Sequence, residues 1–63
     1  MQIGQQIEYI RQQEHIPVFV ACNMLGLASE QEYQQVINGN QIPAVINLIM
    51  FVESSRKSLN MNN

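Results

Sequence analysis

Ile3, Ile7 and Ile10 recur at spacings of four and three, with Gln and Glu between them. An apolar residue on each turn at that period predicts an amphipathic helix over residues 2–13. His15 stands at its exit, a position that often takes positive φ, which His tolerates better than branched residues do. Pro17 suits the first turn of a second helix, where its fixed φ fits and its missing N–H costs nothing. That helix is expected to end at Gly26. It is apolar nearly all round, Asn23 excepted, and a helix of that kind needs cover on every side. Ser29-Glu30-Gln31-Glu32 matches the capping box and predicts a third helix over 30–38, closed by Gly39. Pro43 then opens a fourth helix to about Glu53. Residues 54–63 are polar and aperiodic, which predicts a frayed, flexible tail. No strand alternation, repeat or linker interrupts this order. The expected class is all-α: a small bundle of four short helices in residues 1–53, with room for a fifth in the tail.

Length and charge narrow the picture. A 63-residue chain is one domain. It buries a small share of its surface and is marginal alone unless stapled or associated. Cys22 is the sole cysteine, so no disulfide can close within one chain, and it fits a reducing compartment. Three cations (Arg11, Arg56, Lys57) face five carboxylates, for a net charge of −2. Duplex DNA is gripped largely by Lys and Arg neutralising phosphates, and only one cation precedes residue 56. No cluster of metal ligands, Gly-rich phosphate loop or nucleophile–base pair stands out, so neither an enzyme nor a cofactor is expected. The start, Met1-Gln2-Ile3-Gly4, lacks the apolar core of a signal peptide. Ile42 to Val52 is interrupted by Pro43 and Asn47 and is short of the roughly 20 residues of a membrane span. The expectation is a cytoplasmic protein without a membrane or small-molecule partner.

Ile7, Ile10, Arg11, Ala21, Cys22, Leu25, Gly26, Val36, Gly39 and Pro43 form a joint spacing. It resembles the Cro and lambda-repressor (XRE) family of helix-turn-helix domains, over about Gly4 to Val52. The resemblance implies a lambda-repressor-like fold, with helices two and three as the motif, and a transcriptional regulator acting as a dimer. Carried over, the base-reading positions are Ser29, Glu30, Gln31, Gln34 and Gln35. Gln can read adenine and Glu can accept from cytosine. Candidate phosphate contacts are Arg11, Arg56 and Lys57, although relatives use the residue at Arg11 structurally. Four features depart from the pattern. Val18 replaces a phosphate-contacting Gln. The turn before helix three is one residue longer. Ile37 replaces a common Glu, and the reading helix opens with Glu30 and Glu32. These departures direct attention to a protein partner.

So does a surplus of apolar residues. On the family scaffold the core takes Ile3, Ile7, Ile10, Ile16, Ala21, Cys22, Leu25, Val36, Val45, Leu48, Ile49 and Val52. Val18, Phe19, Val20, Met24, Ile46, Met50 and Phe51 are left as candidates for a protein interface. A homodimer is the simplest use of such a surplus. Plainer roles fit several singled-out residues: Cys22 as core filler, His15 as helix exit and Glu32 as capping partner. Two functions follow. One is a dimeric regulator that binds operator DNA. The other is a helix-turn-helix-derived interaction module, such as a co-regulator or antirepressor, that does not touch DNA itself.

Overall fold

A computed structural model describes residues 2–60, with side chains through Arg56. The architecture is all-α, in the order α1 (Ile3–Gln13), α2 (Val18–Leu25), α3 (Glu30–Ile37) and α4 (Val45–Asn60). Among the described residues there is no strand.

The first three helices stop in the same way. His15, Gly26 and Gly39 take φ of 57°, 71° and 84°. In that left-handed conformation the chain doubles back on the helix it has left. The next N–H then donates to a carbonyl five residues earlier: Ile16 to Arg11 at 2.9 Å, Leu27 to Cys22 at 2.8 Å and Asn40 to Gln35 at 2.9 Å. These are Schellman closures, which satisfy carbonyls that a helix end would otherwise orphan. The positive φ expected at His15 is therefore present.

The starts differ. Pro17 is the residue before α2, with ψ of 151°, and its carbonyl accepts from Val20 and Ala21 at 3.1 Å. At α3 the capping box forms. Ser29 Oγ accepts from the Glu32 N–H at 3.3 Å. The Glu32 carboxylate accepts in return from the Ala28 N–H at 2.9 Å. Helix four corrects its expected bounds. Pro43 is buried ahead of the helix, and Ala44 supplies the first carbonyl, to Asn47 and Leu48 at 3.0 and 3.1 Å. The helix then runs past Glu53 to Asn60.

The core is Ile7, Ala21, Cys22, Leu25, Leu27, Tyr33, Val36 and Phe51. Ile10, Ile16, Val18, Met24, Ile37 and Leu48 pack against it, partly buried. Gly4, buried in α1, permits close approach of α1 to α3. A Cβ there would collide with the Val36 carbonyl oxygen and lie 2.8 Å from Ile37 Cα.

The face that α4 turns inward is the main correction. Val45, Ile49 and Val52 were expected inside, but they are 69%, 52% and 41% exposed. Ile3, also expected in the core, is 49% exposed. Phe51, expected to be left outside, is 1% exposed and among the largest buried side chains. The reason lies at the end of α2. Asn47 Nδ2 donates to the Leu25 carbonyl at 3.2 Å. Satisfying that helix-end acceptor turns Asn47 toward α2, brings Leu48 and Phe51 against the core and rolls Val45, Ile46, Ile49 and Met50 outward.

Candidate interaction surfaces

α1 is tied to α3 through one carboxylate. Glu8 accepts from Arg11 at both oxygens, Nε to Oε1 and Nη2 to Oε2, each at 2.8 Å. Tyr33 Oη donates to Oε1 at 2.7 Å, across 25 positions of sequence. Gln12 Nε2 donates to Oε2, also at 2.7 Å. The remaining arm of Arg11 donates to the Ile16 carbonyl at 2.8 Å. Donors so placed stabilise the ionised carboxylate. The Arg11 guanidinium, helped by Tyr33 and Gln12 and opposed by partial burial, holds Glu8 down at about 2. Glu8 in turn holds the Arg11 proton above its ordinary range. Burial, then the Glu8 contact, pushes Tyr33 above the usual phenol range. This cluster is structural. It consumes every arm of Arg11, a phosphate-contact candidate.

α3 presents the sequence-predicted reading residues together. Ser29, Glu30, Gln31, Gln34 and Gln35 are all exposed. Gln35 accepts from Asn40 Nδ2 at 3.1 Å. The side chains of Gln31 and Gln34 enter no hydrogen bond among those found in the described residues. Glu32 is spoken for, because Gln41 Nε2 donates to its second oxygen at 3.0 Å. Among the described residues no cation pairs with a side chain of this face. Arg56 pairs with Glu53 at 3.3 Å on exposed α4. Lys57, the third phosphate candidate, lies outside the described residues as far as its side chain goes. Cys22 donates through Sγ to the Ser29 carbonyl at 3.5 Å and is buried. Burial first, then Glu30 and Glu32, pushes its thiol up, which disfavours the reactive thiolate.

The interface candidates divide. On α2, Val18 and Met24 pack against the core and Val20 is half-buried, so Phe19, 65% exposed, stands out alone. On α4, Ile46 and Met50 are exposed by 62% and 59%. Sequence reasoning missed their neighbours Val45, Ile49 and Val52, and Ile42 at 69% exposure, which complete one apolar face. The signal that could have found them was Asn47, a lone amide in an apolar run that needed a partner inside. A groove of about 270 Å³ separates this face from α1, lined by Ile3, Gln6, Ile7, Ile10, Leu48 and Val52. Among the described residues no helix is long and apolar enough to cross a membrane.

The molecule thus offers a polar helix face on α3 and an apolar face on α4. No family model matches the chain, and no curated protein or solved structure matches it either.

Proposed function

We propose that this chain is a small dimeric regulator of gene expression on a helix-turn-helix scaffold, with α3 as its recognition helix. The observation that carries the reading is the outward face of α3, where Gln31 and Gln34 stand exposed beside Ser29 and Glu30. Side chains near the start of the second motif helix are the ones that reach base edges in the major groove. Gln31 and Gln34 are the residues suited to bidentate reading of adenine. Affinity is low, because backbone phosphates meet so few cations.

A gel shift against genomic fragments at low salt tests this. A shifted fragment is expected, with binding lost as salt rises. Gln31→Ala and Gln34→Ala should each change sequence preference by about 1–3 kcal/mol. No shift at low salt removes the DNA reading.

A second reading is favoured by the way Arg11 is consumed by Glu8 and Ile16, and Arg56 by Glu53. In it the scaffold is an interaction module, a co-regulator or antirepressor that grips a protein and leaves DNA to others. A pull-down run beside the gel shift separates the two. A specific protein captured by a chain that shifts no DNA selects the module.

A further inference from the structure

We infer that two copies of this chain associate through the outward face of α4. The inference rests on the dimeric reading above and supplies its interface. Val45, Ile46, Ile49, Met50 and Val52 are exposed by 41–69% on one side of a single helix. Together they present on the order of 500 Å² of apolar surface, or about 700 Å² with Ile3 and Ile42, against about 800 Å² per partner in a standard interface. The largest patch of a typical monomer is roughly 300–600 Å², so the smaller figure lies in the upper part of that range and the larger one exceeds it. The patch is therefore nearly an interface by itself, and a second copy is a partner that is always present.

The patch also has both a ridge and a hollow. Its ridge is Val45, Ile49 and their neighbours. Its groove lies alongside, about 270 Å³ between α1 and α4, walled by Ile3, Ile7, Ile10 and Leu48. A two-fold axis through the patch sets the ridge of each copy against the groove of the other, as an isologous contact requires. From Ala44 to Val52 no residue carries charge, so closing the contact strips water from no ion until Glu53 at the rim. The face of α2 offers no rival, since Phe19 stands there beside the polar Asn23.

Sedimentation equilibrium of the full chain tests the inference. A dimer is expected at tens of micromolar. Ile49→Glu should raise its dissociation constant roughly a hundredfold or more, because a carboxylate would be buried unpaired. Far-UV circular dichroism should show that variant still helical, as Ile49 is 52% exposed. Should it unfold, Met50→Lys on the same face decides by the same criterion. Phe19→Glu should leave the dimer intact. A wild-type monomer at tens of micromolar overturns the inference. So does a dimer untouched by either α4 variant, or one broken by Phe19→Glu alone. The interface and the recognition role of α3 fail separately. A dimer lost in Ile49→Glu supports the interface even if neither DNA nor a protein partner is found. A monomeric wild type overturns the interface even if one is.

Discussion

Glu8→Gln isolates the cluster that holds α1 to α3. The wild-type carboxylate is lowered from 4.5 to about 2 in the folded chain. At about 1.4 kcal/mol per pH unit, that is worth at most about 3.5 kcal/mol at neutral pH. A 63-residue domain has on the order of 3–9 kcal/mol in all, so the cluster is a large share of the total. Because the folded value is depressed, its stabilisation is complete above pH 4.5 and is lost as pH falls toward 2. Glutamine keeps the shape and an acceptor oxygen but carries no charge and cannot titrate. The variant should therefore be about 2–3 kcal/mol less stable at neutral pH, and the gap should close between pH 4.5 and 2. Urea denaturation followed by far-UV circular dichroism at stepped pH measures it. A gap that stays constant across that window, or no gap at neutral pH, would refute the reasoning.

Further substitutions probe the packing. Phe51→Ala should cost about 3–5 kcal/mol, whereas Phe19→Ala, the same change at an exposed site, should cost less than about 1 kcal/mol; chemical denaturation of the pair decides. Gly4→Ala should destabilise by more than about 2 kcal/mol, because the added methyl meets the backbone of α3, which has no flexible end to move aside. A thermal melt unchanged by that substitution would show that α1 and α3 can part without penalty. Ser29→Ala removes the oxygen that receives the Glu32 N–H and should cost about 1 kcal/mol. Amide exchange at Glu32 should quicken more than at Val36.

Local chemistry made the frame of this fold legible in the sequence. Ser29 with Glu32 announced α3, and His15, Gly26 and Gly39 marked where helices end, because each acts within a few residues of itself. Pro43 misled for a local reason as well. The fixed φ of proline suits a helix start, but it equally suits the extended approach to one, and here Pro43 is buried in that approach. The face of α4 was not legible. In Val45 to Val52 apolar residues occupy every position except Asn47, so periodicity cannot choose a side. The choice was made at a distance by the Leu25 carbonyl, 22 positions away. The Tyr33 bond to Glu8 is equally long-range. The candidate reading residues on α3 were legible as an exposed polar face. The apolar face of α4 needed coordinates.

α2 packs closely on both α3 and α4, and this has an evolutionary consequence. The two exposed faces are carried by different helices on a shared support. Exposed side chains on different helices that do not touch one another respond to substitution nearly independently. Selection can therefore retune one face while the other drifts or stays fixed. A descendant could alter the polar face of α3 and keep the apolar face of α4, or the reverse.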